Sequence, residues 1–404
     1  MGESEISVAK ILFSKKIPFC IYRFPGKKNF HLAIDAAFVE PKERKTLWFS
    51  PFDPSGINKE IFFSVLNEDE LTSSFISELQ VKPLQQKAVA ELPEETTKEN
   101  YFRSFKDFLQ EIESGELKRA VLSRVIYQDK PTDFHPVEFF LKLATDYSDA
   151  FVHLSQHPDS GMWIGATPEL LIQKSSTQLH IMALAGTQAR HHSATPYLWR
   201  QKEEEEHHMV SEHVETILQQ FDCTILNKIG PYTIEAAQVA HLRTDYTAEG
   251  KNVDIKTFLK KLHPTPAVGG LPVEKGLECI RKFEGYNRSY YCGFIGETDF
   301  KDDAHLFINL RCLQVGADKL AVYAGGGITA ASNAEAEWNE TILKSKTMTN
   351  KLLTQTPLKH GIVGQERCSA YSDGIGCFGF ERSSDMSRFA QCSFGNFVQP
   401  SLCF

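Results

Sequence analysis

The 404-residue chain lacks any Cys-x-x-Cys pair. Its nine cysteines stand singly, at Cys20, Cys223, Cys279, Cys292, Cys312, Cys368, Cys377, Cys392 and Cys403, so neither a zinc-binding spacing nor a disulfide framework is indicated. Missing too is any uninterrupted apolar run near the roughly 20 residues that span a bilayer, and no membrane segment is expected. Positive charge is not in excess: the formal net charge of −8 supplies no basic field for nucleic acid. No repeat recurs at a fixed period, which excludes solenoids and propellers. What remains, 42% hydrophobic and 24% charged residues, is a globular composition with enough apolar side chains for a large core. A cytoplasmic protein is expected, with no obligatory protein partner.

From residue 6 to about 92, short apolar runs alternate with turn residues such as Phe24-Pro25-Gly26 and Ser50-Pro51-Phe52, the pattern of strands joined by loops. A polar stretch over 85–98 reads as a linker. Helical spacing of Tyr101, Phe102, Phe105, Phe108, Leu109 and Ile112 predicts a helix over 99–114. Strands are expected at 120–127, 151–154, 162–166, 178–184, 290–296, 305–315 and 320–324, with long helices at 196–221 and 333–353. Strands in groups followed by helices indicate an α+β fold over 1–354, with 1–95 as its N-terminal part and 99–354 bearing the motifs. The Gly-, Ser-, Phe- and Cys-rich stretch 355–404 shows neither periodicity and reads as a loosely attached tail.

The most informative local feature is Lys202-Glu203-Glu204-Glu205-Glu206-His207-His208, which leads into apolar residues at Val210, Val214, Ile217 and Phe221. One helical turn back from Val210 lies Glu206, on the stripe that faces the core, with Glu203 beside it. A solvated acidic first turn is one reading. The other is a site for a hard cation such as magnesium, which favours oxygen ligands and offsets buried carboxylates. Glu337 and Glu340 form a second i, i+3 pair, either a companion to the first or part of a weak surface bridge from Glu340 to Lys344. Gly325-Gly326-Gly327 and Ala185-Gly186-Thr187 read as strand-ending turns, the former with amides able to hold a carboxylate.

An ordered set of segments extends this: Val121-Leu122-Ser123-Arg124, Gly165-Ala166-Thr167-Pro168-Glu169-Leu170, Leu184-Ala185-Gly186-Thr187, Glu203-x-x-Glu206-His207, His241-Leu242, His263-Pro264-Thr265-Pro266, Tyr291-x-Gly293, Asn309-Leu310-Arg311, Tyr323 to Ile328, and Glu337-Trp338-Asn339-Glu340-Thr341. Together they resemble the chorismate-utilising family that includes anthranilate synthase component I, aminodeoxychorismate synthase, salicylate synthase and isochorismate synthase. The resemblance implies two large antiparallel sheets packed face to face with helices outside. It also implies a cleft in which Mg2+ binds the ring carboxylate of chorismate. Glu206 and Glu340 then match the principal metal carboxylates, with Glu203 and Glu337 beside them. Arg311 and Tyr291 match the groups on the pyruvyl carboxylate, helped by Gly325, Gly326 and Gly327, while Lys344 matches a lysine near the ring carboxylate. Ala185, Gly186, Thr187 and His241 complete the implied substrate contacts, and Glu169 matches the general acid at the C4 hydroxyl.

Within the family, Ala185 stands where aminodeoxychorismate synthases usually carry a nucleophilic lysine, which leaves room for water and matches the pattern of the isochorismate and salicylate synthases, of which the isochorismate synthase subgroup is the expectation. Salicylate synthase, which adds pyruvate elimination, and a non-catalytic chorismate-binding homologue are the alternatives. Menaquinone and siderophore routes both consume isochorismate. One departure stands out. Water-using members carry a lysine, taken as the base, where this chain has Arg119, with Lys118 just before it. Guanidinium stays protonated, so either a local shift brings Lys118 in, or Arg119 positions a water deprotonated elsewhere, or activity is impaired.

Overall fold

The computed structural model describes residues 3–39, 44–53, 55–67, 70–71, 91–191 and 195–352. The expected tail at 355–404 and the first part of the expected linker, 85–90, lie outside the described residues. The N-terminal part contains helix α1 (Glu3–Ser14) and strands β1 (Phe19–Arg23), β2 (His31–Asp35), β3 (Thr46–Ser50) and β4 (Ile61–Val65). There follow α2 (Lys98–Glu113), β5 (Arg119–Asp129), α3 (Pro136–Asp146), β6 (Phe151–His157), β7 (Gly161–Thr167), β8 (Leu170–Ser175) and β9 (Gln178–Ala189). The remainder comprises α4 (Gln201–Gln220), the hairpin β10 (Thr224–Ala236) and β11 (Val239–Glu249), α5 (Ile255–Leu262), β12 (Gly270–Leu271) and α6 (Val273–Phe283). It ends with β13 (Phe294–Thr298), β14 (Asp303–Ile308), β15 (Cys312–Val315), β16 (Lys319–Ile328) and α7 (Ala334–Leu352).

The sixteen strands among the described residues join one antiparallel ladder, in the order β10-β11-β9-β8-β14-β13-β3-β4-β2-β1-β6-β7-β15-β16-β5-β12. The ladder folds over on itself. Phe151 of β6 stacks on Phe307 of β14 with ring centroids 4.6 Å apart, although five strands lie between them in the ladder. The α+β class with face-to-face antiparallel layers is therefore present, realised as a continuous sheet. Period-two alternation divides its side chains between two cores. Trp163 of β7 joins the inner cluster with Phe49, Phe108 and Tyr290. Its neighbour Ile164 joins a second cluster with Val8 and Leu12 of α1, Phe140 of α3 and Met348 of α7.

The sequence pattern located α2, α4 and α7 closely. Thr97 caps α2, its hydroxyl accepting from Asn100 N at 3.2 Å, and Tyr101, Phe105, Phe108 and Ile112 form the buried face. Elsewhere it needs correction. The chain opens with a helix, because Val8 and Leu12 pack at i and i+4 on one face, where only strands were expected. The stretch 305–315 is two strands: Arg311 adopts φ +48 between them and breaks the ladder. Both glycine segments lie within strands rather than ending them. Gly325, Gly326 and Gly327 pair with Ser123, Leu122 and Val121, and Gly186 sits in β9 at a bulge opposite the His241–Leu242 step.

Candidate active site

Helix α4 places its acidic residues as the helical period requires. Glu203 and Glu206 are 2% and 6% exposed, on the same stripe as buried Val210 and Val214, whereas Glu204 and Glu205 face solvent. The Glu203 carboxylate accepts from Arg200 N at 3.0 Å and pairs with the Arg200 guanidinium, fixing the first turn. His207 Nε2 lies 2.8 Å from Thr244 Oγ1, which ties the helix to β11. On α7, Glu337 is 2% exposed, and Glu340 pairs with Lys344 at 2.7 Å. This i, i+4 bridge is the one expected of a surface helix, yet Lys344 also donates to Gly325 O at 2.8 Å and faces a cleft.

That cleft collects most of the residues singled out in the sequence. Arg119, Glu169, Ala185, Gly186, Thr187, Glu206, His241, Tyr291, Arg311, Gly325, Gly326, Gly327, Glu340 and Lys344 all line it. Glu203 and Glu337 are buried but are not part of its lining. The glycines allow close packing. A Cβ on Gly326 would lie 2.9 Å from Glu337 Oε2 and 3.4 Å from Glu340 Oε1, and one on Gly327 would lie 3.0 Å from Glu206 Oε2. At Gly186, with φ +74, a Cβ would meet Glu203 O at 3.0 Å.

Glu169 is 6% exposed, and burial pushes its carboxyl up to about 7, against the opposing pull of Lys344, Arg311 and Arg119. It is thus a weak acid that carries its proton near neutrality. Burial, followed by the charges of Arg311 and Lys344, depresses His241 to about 3, so its imidazole is neutral. Its Nδ1 donates to Gly186 O at 3.0 Å, which leaves the Nε2 lone pair to accept from Arg311 Nη2 at 3.2 Å. His241 in this way orients Arg311, whose Nη1 also donates to Lys344 O at 3.2 Å. Tyr291 is 3% exposed and stacks on Tyr323 at 5.2 Å. Arg311, Lys344 and Tyr291 together give one region of the cleft the donors and positive charge that suit an anion.

The Arg119–Lys118 ambiguity resolves geometrically. Arg119 is 3% exposed and lines the cleft, bonding Pro266 O through Nη1 and reaching Glu206 Oε2 at 3.5 Å through Nη2. Lys118 is exposed and lies outside the lining, its backbone N–H donating to Leu271 O at 2.8 Å. The structure therefore does not bring Lys118 to the site. Sequence reasoning also passed over Lys202, whose ammonium bonds Glu337 and lies 3.5 Å from Glu206 Oε1. The i, i+4 spacing of Lys202 and Glu206 was a readable signal for the second contact, but nothing local pointed to Glu337.

The donor set fits a hard cation. Glu206 and Glu340 are oxygen donors at the cleft wall, and Glu337 Oε2 is buried with no cation on it, Lys202 lying on the other oxygen. Burial raises the Glu206 carboxyl above its ordinary range, and burial with the neighbouring Glu340 charge does the same to Glu337. Such carboxylates gain from a compensating cation. Among the described residues, however, no group of three or more His, Cys, Asp or Glu side chains is already assembled to hold a metal ion.

The fold and cleft define an enzyme scaffold for a small anionic substrate, with a buried acid beside arginine and lysine and with carboxylates on two helices. The chain belongs to the chorismate-binding enzyme family, whose model matches residues 53–353. It is 28% identical over 269 residues to the vibriobactin-specific isochorismate synthase of Vibrio cholerae, covering 64% of this chain and 68% of that one. It is 30% identical over 265 residues to the isochorismate synthase DhbC of Bacillus subtilis, covering 62% and 67%. The crystal structure of DhbC from Bacillus anthracis superposes with a TM-score of 0.67 at 24% identity, over 86% of this chain and 99% of that one, a likeness of fold. Among the described residues no helix is long and apolar enough to cross a membrane.

Proposed function

We propose that the chain is a magnesium-dependent isochorismate synthase, which adds water at C2 of chorismate and expels the C4 hydroxyl. The observation that carries this reading is Glu169, a buried carboxyl held near pKa 7 on the wall of a cleft that also displays Arg311 and Lys344. Chorismate carries two carboxylates, and the two cations suit them. Protonated Glu169 gives its proton to the departing hydroxyl, which leaves as water, while an incoming water bonds to C2 and releases one proton to solvent, from which the Glu169 carboxylate takes one up again, so atoms and charge balance over the cycle. The Arg119 guanidinium, a donor with no lone pair to offer, orients the incoming oxygen without accepting its proton. The Ala185 methyl group in the cleft offers no nucleophile to compete with water. Glu206 and Glu340, with Glu337 beside them, would hold Mg2+. Bound there, the ion supplies electron withdrawal from the ring carboxylate. Names of relatives in Vibrio cholerae and Bacillus subtilis support the isochorismate reading.

Incubating the purified chain with chorismate and Mg2+ and identifying products by chromatography tests it. Isochorismate alone is expected. Salicylate with pyruvate would replace the reading by a salicylate synthase. Saturable binding without product would leave a non-catalytic chorismate-binding protein, the alternative that buried Arg119 favours.

A further inference from the structure

Lys202 stands between the two acidic pairs. Its ammonium bonds Glu337 Oε1 of α7 and lies 3.5 Å from Glu206 Oε1 of α4, and its side chain is only 18% exposed. The other carboxylate contacts have cations of their own: Arg200 on Glu203, Arg119 on Glu206 Oε2 at 3.5 Å, and Lys344 on Glu340 at 2.7 Å. Four carboxylates are matched by four cations. Yet Glu337 Oε2 is buried against the bare face of Gly326 with Lys202 on the other oxygen, and beyond the Ser332 hydroxyl, which interacts with the carboxylate, it has no cation of its own.

We infer that Lys202 is a tethered counter-ion that occupies the divalent cation's place between α4 and α7, and that metal binding displaces its ammonium. This rests on the magnesium reading above. Carboxylates on two separate helices repel each other when removed from water, and a buried cation between them offsets that repulsion. A divalent ion offers two charges to the same oxygens and must first break the contacts of Lys202. The lysine therefore stabilises the metal-free fold and weakens metal affinity. A metal-orienting lysine would do the opposite to affinity.

The test uses full-length protein, wild type and Lys202→Met, titrated with Mn2+ and followed by electron paramagnetic resonance, with unfolding temperatures measured with and without the ion. The wild type is expected to bind one Mn2+. Lys202→Met is expected to bind it about tenfold more tightly, the equivalent of roughly 1.4 kcal/mol. It should also melt lower without metal and show a larger rise on adding it. Lys202→Gln, which keeps a donor for Glu337 but no charge, should show the same tightening and serves if the methionine variant fails to fold. Equal or weaker Mn2+ affinity in a folded variant overturns the inference while leaving the metal site standing. No Mn2+ binding in any of the three proteins overturns the metal reading and the inference with it.

Discussion

Glu169 owes its chemistry to position. Its backbone N–H is held by Thr167 Oγ1 at 3.2 Å where β7 gives way to β8, and its carboxyl is enclosed at the cleft. A general acid must be protonated to act, and with a pKa of about 7 the protonated fraction falls as pH rises through neutrality. Turnover of chorismate in the free-enzyme limit should therefore decline on the alkaline side with a midpoint near pH 7. Glu169→Gln should lower kcat by about 10²–10⁴-fold and abolish that limb, with chorismate binding retained by equilibrium dialysis. An unchanged pH profile in the glutamine variant would assign the acid elsewhere. Arg119 gives a second prediction at this scale. With Lys118 exposed, the cleft presents a guanidinium, which has no lone pair to take a proton, at the position where the family resemblance implies a lysine. Arg119→Lys should preserve or raise turnover, increasingly so toward alkaline pH. A large loss with the circular dichroism spectrum intact would show that the guanidinium itself is required, through its contacts with Pro266 O and Glu206.

At the scale of elements, the legible parts were those governed by short-range periodicity. The stripe through Glu206, Val210 and Val214 announced a buried carboxylate because the 3.6-residue period fixes which face a side chain occupies. The β10–β11 hairpin was not legible: β10 is exposed along nearly its whole length, so no alternation marks it. The contact of Lys202 with Glu337 joins residues 135 positions apart and has no local signature. Nor does the hydrogen bond from Arg311 to His241, which the ladder brings together across 70 positions. The two glycine segments looked like turns because glycine is common there, whereas their role is close approach. Gly186 combines φ +74 with a backbone oxygen, Glu203 O, only 3.0 Å from where a Cβ would stand. Gly186→Ala should cost about 1–3 kcal/mol, measured by urea unfolding, and should loosen the seat of α4 on the bulge. Unaltered stability would mean that the bulge relaxes without strain.

The whole molecule depends on one sheet closing over its own core, and His153 lies inside that closure. Its ring is 0% exposed, 6.1 Å from the ring of Phe151 on the same strand and 5.9 Å from that of Phe49 on β3, which three strands of the ladder separate from β6. Its Nε2 lies 3.0 Å from Asn309 Oδ1, and Asn309 Nδ2 donates to Tyr290 O at 2.9 Å, so the ring braces the segment that leads to Arg311. Burial lowers its pKa from 6.5 to about 4. Because the folded value lies below the unfolded one, the unfolded chain takes up a proton first as pH falls from 6.5, and stability is lost down to about pH 4. The full slope for one such group is about 1.4 kcal/mol per pH unit. His153→Gln retains a polar partner for Asn309 but cannot titrate in this window. It should be less stable than the wild type at pH 8, where the fitted imidazole ring gives the better packing. The gap should narrow as pH is lowered from 6.5, by up to roughly one proton's slope. Urea midpoints measured for both proteins at pH 8, 6.5, 5.5 and 5 would show it. Parallel pH dependences would mean that His153 keeps its ordinary pKa through local opening, and that the inner core admits water at this point.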